Sequence, residues 1–379
     1  MYRKLSLLLL LFSISVFSAN AESTETSEEL SQNTEKEGYD PVPAIMHHIS
    51  DAHEWHFWDT EDENGEIHAA SIPLPVILYT EKGLVSFMSS EFHHDDAAKI
   101  VVERKGQKFV KYHGKIYYAS EEAHHGAFLN HTEENGEHLV TNAKPMDFSI
   151  TKNVAGMFLA MIIILLVFTR VARSYKKNGG VPSGITGWME PLVIFVRDEI
   201  ALPNIGEKKH KKFTPLLLSI FFFIWVLNLL GLLPGGANVT GNIAVTLVLA
   251  AITMIVVAVN GNKEYWMHIF WPPVPHWLKP LMIPVEIIGV FTKPFALMIR
   301  LFANITAGHI IILSLVSLIF IFQSEWMGIP SMLLVLFINI LELLVAVLQA
   351  YVFTLLTALF IGTAVDDHGH EHETELNEI

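Results

Sequence analysis

The sequence predicts an all-α polytopic membrane protein with five membrane segments, two of them forming a long tilted helical hairpin, plus a small mixed α/β or β-rich extracytoplasmic domain. Three observations predict this fold. Acidic residues concentrate in two flanks, with 25 Asp and Glu against nine Lys and Arg in residues 22–150, and six acids in residues 366–379. The stretch between the flanks is long, apolar and slightly basic. Five apolar runs within it are long enough to cross a bilayer.

The N-terminus has the three parts of a secretory signal peptide. Arg3 and Lys4 precede the apolar run Leu5–Phe17, and Ala19-Asn20-Ala21 is a small-x-small cleavage site. We expect residues 1–21 to be removed by cleavage after Ala21, with an uncleaved membrane anchor as the alternative. Either outcome places residues 22–150 outside the cytoplasm. Residues 22–40 are acidic and rich in Ser and Thr, which predicts a disordered leader.

Residues 41–150 are predicted to form a His-rich periplasmic domain. Val76–Thr80 and Leu84–Met88, separated by Glu81-Lys82-Gly83, predict a β-hairpin. Further strands are expected at Ile100–Glu103, Phe109–His113 and Lys115–Ala119. Twelve of the nineteen histidines of the chain lie in this domain.

Several of these histidines are candidate ligands for Zn²⁺ or Cu²⁺. The first group is His47, His48, His53 and His56, and the second is the run His93-His94-Asp95-Asp96. No recognisable ligand spacing is repeated, so we expect a solvated, acid-balanced surface and no metal site. The chain has no cysteine, which excludes disulfides, thiolate metal sites and cysteine nucleophiles. No cofactor is expected.

The five predicted membrane segments are Val154–Val171, Phe213–Leu233, Asn242–Val259, Leu281–Phe322 and Pro330–Val365. The last two are too long to stand upright in a hydrocarbon core of about 30 Å, so they are expected to tilt or kink as an antiparallel hairpin broken at Gln323–Ile329. Nine basic residues between Arg170 and Lys212 predict a cytoplasmic connection, and residues 234–241 and 323–329 have no Lys or Arg. Within that connection, Ile185–Ile200 is predicted as an interfacial helix, with an ordinary loop as the alternative.

Polar and ionisable residues interrupt the apolar sequence of the hairpin: Glu286, Lys293, Arg300, Asn304, His309, Glu342 and Gln349. Such groups are costly inside a bilayer and therefore indicate function. Lys293 and Glu286 also fit side chains that reach toward an interface. Arg300 does not, because it lies about twenty residues from either end of its stretch.

The hairpin predicts which of these residues lie level with one another. In an antiparallel pair, residues at one level have position numbers with a constant sum. A turn near residue 325 places Arg300 level with Gln349, and His309 level with Glu342. At about 100° per residue, His309 lies on the opposite helix face from Arg300. Either the helix is distorted near Gly308, or the arginine and the histidine serve different surfaces.

The predicted depths suggest two proton paths separated by a cation. Glu286 lies near the cytoplasmic start of the hairpin, Arg300 near its middle, and His309 and Glu342 toward the outside. A continuous polar path would leak protons, whereas two half-paths separated by a guanidinium, which does not deprotonate, would not. Histidine and carboxylate side chains titrate and can relay protons.

The hairpin sequence closely resembles subunit a of the F-type ATP synthase. The resemblance is carried by MIRLFANITAGHI from Met298, LELLVAVLQAYVFTLLT from Leu341, VEIIGVFTKPFALMIR around Glu286, and NIAVTLVLA from Asn242. It covers roughly residues 150–365. Many bacterial members carry an acid at the position of His309 and a histidine at that of Glu342, so the pair is exchanged in this chain.

The resemblance implies a stationary proton-translocating subunit of a rotary ATP synthase, with no catalytic site and with residues 151–365 as its membrane channel domain. It implies that Arg300 faces the ring of c subunits, with Gln349, Asn304 and Glu286 as further path residues. It also implies b subunits of the peripheral stalk and membrane lipid as partners, without nucleic acid, in a bacterial inner membrane. The N-terminal domain would be periplasmic and the acidic tail, residues 366–379, cytoplasmic. A secondary cation transporter with a buried Arg/Glu/His network is the alternative.

Overall fold

The computed structural model describes residues 41–61, 67–123, 126–134, 137–177, 181–182, 184–233, 235–322 and 325–365. The predicted signal peptide, the predicted leader and the acidic C-terminal tail lie outside these described residues. Most of the described chain is helical, and small β-sheets occupy the part before residue 150, as the sequence predicts.

The N-terminal region begins with helix α1, Val42–Ile49, and continues through ten strands among the described residues. The strands are β1 Glu54–Glu61, β2 Ile67–Pro73, β3 Pro75–Thr80, β4 Gly83–Met88, β5 Val102–Arg104, β6 Gln107–Tyr112, β7 Lys115–Tyr118, β8 His131–Glu134, β9 Glu137–Val140 and β10 Met146–Asp147. They pair in four antiparallel sheets, β1-β2, β10-β3-β4, β5-β6-β7 and β8-β9. A single turn of 3₁₀-helix, Ser89–Phe92, follows β4.

The predicted hairpin and the three further predicted strands are confirmed with shifted ends. In the β3–β4 hairpin Thr80 pairs with Gly83, and Val76, Leu78 and Val85 point into the domain core. The β5–β6 turn at Lys105-Gly106 has positive φ at both central residues, +50° and +64°. This geometry matches the twist of the flanking strands and favours glycine at the second position.

Helix α1 and strands β1, β2, β8, β9 and β10 were not predicted. Strands β8 and β9 have the sequences HTEE and EHLV, which lack the apolar alternation that signals a strand. Strand β1 contains an irregularity between His56 and Trp58, where its register against β2 shifts. Each of these strands is paired with a neighbouring strand, and the propensities of its own residues do not predict such pairing.

The helical region contains α2 Lys152–Lys177, α3 Ile185–Phe195, α4 Leu202–Ile205, α5 His210–Gly231, α6 Ile243–Asn260, α7 Lys263–Phe270, α8 Lys279–Phe322 and α9 Glu325–Val365. Among the described residues, five of these helices, α2, α5, α6, α8 and α9, are long and apolar enough to cross a membrane. They correspond one for one to the five predicted segments. Helix α6 begins where expected, because the Asn242 side chain accepts a hydrogen bond from the Ala244 N–H at 2.9 Å and caps the helix.

The last two helices are much longer than a membrane crossing requires. Helix α8 has 44 residues, roughly 66 Å at 1.5 Å per residue, which is about twice the hydrocarbon thickness. The predicted break at Gln323–Ile329 is wrong from Glu325 onward, because α9 already begins at that residue. The sequence interpretation started that helix at Pro330, but a proline this close to a helix start removes a single hydrogen bond.

The predicted interfacial helix is helical along its length. Helix α3 ends at Phe195 and continues as a π-helical turn, Val196–Ala201, before α4. Ile200 in this turn is fully buried. The widened turn was not predicted from the sequence. Helix α7 was not predicted either, since Pro272 and Pro273 follow it closely and favour a loop.

The chain divides into two compact units. The first contains the described residues up to Phe158, Leu230–Val239 and His309–Asn339, and the second contains Leu159–Leu229, Thr240–Gly308 and the residues from Ile340. The second unit has a core of fully or nearly fully buried apolar side chains. Its largest members are Phe221 and Phe353, with Leu217, Leu297 and Leu301 around them.

Candidate functional site

Arg300 projects from α8 away from the core of the second unit. The neighbouring Leu297 and Leu301 are buried in that core, at 1% and 0% exposure, whereas Arg300 is exposed. Within the described part of the chain, no hydrogen bond or ion pair involves its guanidinium. Large apolar side chains, Phe295 and Ile299, are exposed beside it. The cation is therefore presented on an apolar outer face of the helix.

Asn304 lies one helical turn after Arg300 and bonds to the other long helix. Its Nδ2 donates to Oε1 of Gln349 on α9 at 2.8 Å. Gln349 is only 3% exposed, and its Nε2 donor has no hydrogen-bond partner among the described residues. A buried amide donor without a hydrogen-bond partner lowers the free energy of unfolding, a cost that an apolar residue at the same position would not have. The sequence-predicted residues Asn304 and Gln349 are thus in direct contact.

Glu342 packs against Gly308. The glutamate is 8% exposed, and a Cβ built on Gly308 would collide with its Oε1 and lie 2.8 Å from its Cδ. Any larger residue at position 308 would displace the carboxyl group. Helix α8 continues without a break through Gly308, so the glycine provides room for a side chain and does not interrupt the helix. Of the two sequence interpretations, this favours different surfaces for Arg300 and His309.

His309 bonds to the end of α5. Its Nε2 lies 3.2 Å from the carbonyl oxygen of Gly231, the last residue of that helix. Because a carbonyl only accepts, Nε2 is the donor in this hydrogen bond. The imidazole is half-buried. The pairing of His309 with Glu342 stays a prediction.

Glu286 lies near the start of α8 and is half-buried. Its charge acts on Tyr265 of α7: burial, and then the negative charge of Glu286, raise the pKa of that phenol. Lys293, on the same helix, is exposed and its Nζ lies 5.5 Å from the ring centroid of Phe360. This contact fits the interpretation of Lys293 as a side chain that reaches along apolar surface.

A buried polar group on α5 was missed by the sequence analysis. Asn228 is 2% exposed, donates through Nδ2 to the carbonyl of Ala346 at 3.3 Å, and accepts from the Thr240 hydroxyl at 2.8 Å. It fixes α5 to α9 one turn from Glu342 and Gln349. The available signal was an asparagine inside an apolar run, the same signal that singled out Asn304.

The candidate metal ligands do not form a cluster where the structure describes them. His53 is 4% exposed and its Nε2 lies 2.7 Å from Oδ2 of Asp147, whereas His56 is exposed. The side chains of His47 and His48 lie outside what the structure describes. Among the described residues, no three His, Asp or Glu side chains come together as a metal site would require.

These features define a class, a polytopic membrane protein with ionisable and amide groups inside its spanning helices. A family model described as ATP synthase A chain matches residues 154–362, which is more than half of the chain. The chain belongs to this family. A second model, a domain of unknown function, matches residues 44–148.

Similar proteins carry the family's name. The chain is 50% identical over 236 residues to ATP synthase subunit a of Chlorobium phaeobacteroides, covering 60% of this chain and 69% of the relative. It is 48% identical over 236 residues to ATP synthase subunit a of Anaeromyxobacter sp., covering 60% and 57%. It is 48% identical over 233 residues to ATP synthase subunit a of Chloroherpeton thalassium, covering 59% and 70%.

Proposed function

We propose that the chain is the stationary proton-translocating subunit of a rotary ATP synthase, with two offset half-channels that meet the c-ring on either side of Arg300. The observation that carries the proposal is the exposure of this arginine on an apolar helix face, beside fully buried leucines. A cation in that position is costly unless a partner supplies a counter-charge. A carboxylate on a ring of small membrane subunits has the required chemistry.

Protons enter from outside through a path that uses His309 and Glu342. The imidazole of His309 and the carboxyl of Glu342 are both groups that can bind and release protons. From them the proton passes to a ring carboxylate, which becomes neutral and can turn into lipid. The contact of Gly308 with Glu342 holds this carboxyl beside α8.

Protons leave on the cytoplasmic side near Glu286. After nearly a full turn of the ring, the neutral carboxyl reaches this second path and ionises. Arg300 then stabilises the carboxylate and separates the two paths, because its guanidinium does not deprotonate. The Asn304–Gln349 hydrogen bond holds two amide groups next to this position.

In this assignment the subunit catalyses no reaction itself. Peripheral-stalk b subunits and membrane lipid are further partners, and the complex lies in a bacterial inner membrane. The N-terminal domain, residues 41–150, is periplasmic after cleavage of residues 1–21, and residues 366–379 are cytoplasmic. The charge distribution supports this orientation, since basic residues concentrate between Arg170 and Lys212.

Purification of the full-length chain from its native membrane tests the proposal. The chain is expected to co-purify with a ring of small two-helix subunits, and vesicles containing the complex are expected to take up protons when ATP is added. A chain that purifies without such a ring and exchanges cations in vesicles without ATP would be a secondary transporter, which would contradict the proposal.

A further inference from the structure

Strand β1 of the N-terminal domain lies on the loop between α5 and α6. The indole Nε1–H of Trp55 donates to the carbonyl oxygen of Gly235 at 2.7 Å. A Cβ on Gly235 would come within 3.0 Å of Cδ1 of Phe57, and this glycine has a positive φ of +69°. Trp55 and Phe57 stack on each other with ring centroids 5.7 Å apart. Two aromatic side chains therefore hold one backbone position of the loop.

The loop has a tight internal structure. The N–H of Gly236 donates to the Leu233 carbonyl at 2.7 Å, and the N–H of Leu233 donates to the Leu230 carbonyl at 3.3 Å. A side chain at position 236 would collide with the Leu230 carbonyl. Gly231, whose carbonyl accepts from His309, lies within this bonded segment. A displacement of Gly235 is therefore transmitted to the acceptor that orients the histidine.

A second anchor fixes the other end of the same loop. The backbone N–H groups of Lys152 and Asn153, at the start of α2, donate to Ala52 and to the Asp51 carboxylate at 2.8 and 3.1 Å. One turn further, a Cβ on Gly156 would lie 3.0 Å from Ala237 and 2.9 Å from Val239. The domain thus contacts the loop directly through β1 and indirectly through the first turns of α2.

We propose that the N-terminal domain positions the outer end of the proton path, with Trp55 as the positioning residue that fixes the Gly231–Val239 loop and, through it, the orientation of His309. The inference rests on the proposed function, in which His309 takes up protons from outside. All the groups involved, from Trp55 to His309, lie in the first compact unit. The domain would act on proton capture and not on the ring contact at Arg300.

The test uses the full complex in vesicles that make ATP from an imposed proton gradient. Trp55→Phe removes the indole donor and keeps an aromatic ring. The outer proton concentration at half-maximal rate should rise about fivefold, the effect of roughly one lost hydrogen bond. The maximal rate should change by less than about twofold, because the ring contact is intact. Trp277→Phe is the matched control, since Trp277 is 80% exposed.

Amide hydrogen exchange reports the loop directly. The Leu233 and Gly236 amides should exchange faster in Trp55→Phe than in the control. If Trp55→Phe does not assemble, Phe57→Leu loosens the same contact and keeps the indole bond, and the same two shifts are expected. The inference would be overturned if the proton concentration at half-maximal rate did not change in Trp55→Phe. It would also be overturned if the maximal rate fell about fivefold while that proton concentration stayed the same.

His309→Ala separates this inference from the proposed function. Normal ATP synthesis by His309→Ala would contradict the proposed function, in which His309 takes up protons. Impaired synthesis by His309→Ala together with unchanged proton dependence in Trp55→Phe would remove only the positioning role of the domain.

Discussion

Arg300 and Gln349 are predicted at one level of the same hairpin, yet their surroundings differ. Arg300 on α8 is exposed on an apolar outer face, whereas Gln349 on α9 is 3% exposed and accepts from Asn304. A polar residue in an apolar helix can thus serve a partner outside the chain or a neighbour within it. By this difference we assign exposed Arg300 to the contact with the ring, and buried Gln349, with Asn304, to the internal packing of the proton path.

The largest effect on proton transport is expected from substitution of the exposed residue, Arg300. Arg300→Lys keeps a positive charge but lacks the planar fork, and lysine loses its proton when desolvated. We expect ATP-driven proton uptake to fall by roughly a hundredfold or more, with normal assembly. Arg173→Lys is the matched control, because Arg173 is exposed at the end of α2. Normal uptake by Arg300→Lys would sink the assignment of this arginine.

The next effect concerns His309 and Glu342. Each substitution by Ala should slow proton entry, by roughly a hundredfold where the group acts as a general acid or base. The double exchange His309→Glu with Glu342→His should recover more activity than either single exchange, because it retains the pair. A double-mutant cycle on the uptake rates measures their coupling. Strictly additive losses would argue against a joint relay.

A smaller effect is expected at Gly308, which packs closely against the buried side chain of Glu342. Gly308→Ala places a methyl group against the Glu342 carboxyl. Overpacking of this kind costs about 1–3 kcal/mol, so proton uptake should fall by roughly tenfold or more as the carboxyl is displaced. Gly289→Ala on the same helix is the control, since nothing lies within 4 Å of its added Cβ. Equal rates for both variants would show that the position of Glu342 does not matter.

The smallest effect is expected outside the helices, in the N-terminal domain. Burial opposes ionisation of Asp147, but hydrogen bonds from His53 and Ser149 outweigh it and lower the pKa of the carboxyl below its ordinary 3.8. A lowered folded-state pKa stabilises the domain above the unfolded value, and this stability is lost as pH falls through the folded value. We expect a loss of about 1 kcal/mol or less below pH ~4.

Amide exchange in β3, which pairs with the strand of Asp147, measures this loss between pH 6 and pH 3. Protection should fall more in the native chain than in Asp147→Asn, which has no carboxyl to titrate. Equal losses of protection in the two chains would contradict the assignment.

The membrane helices were predictable from the sequence because long apolar runs have few alternatives. Gly83, which has a positive φ of +94°, likewise marked the turn of the predicted β-hairpin. Strands β8 and β9 were not predictable, because HTEE and EHLV lack the apolar alternation that signals a strand. Antiparallel counting placed His309 level with Glu342 and Arg300 level with Gln349, and both pairings stay predictions. It could not give the exposure of Arg300 or the burial of Asn228, since both depend on which helices pack against each face.

The central claim is that Arg300 separates two proton paths, and passive proton flux tests it most directly. Vesicles containing the assembled membrane sector with Arg300→Ala would be given a pH difference without ATP. Our account predicts a proton leak above that of the native protein and of Arg173→Ala, because the fixed cation between the paths is gone. Vesicles with Arg300→Ala that stay as tight as the native ones would contradict the account.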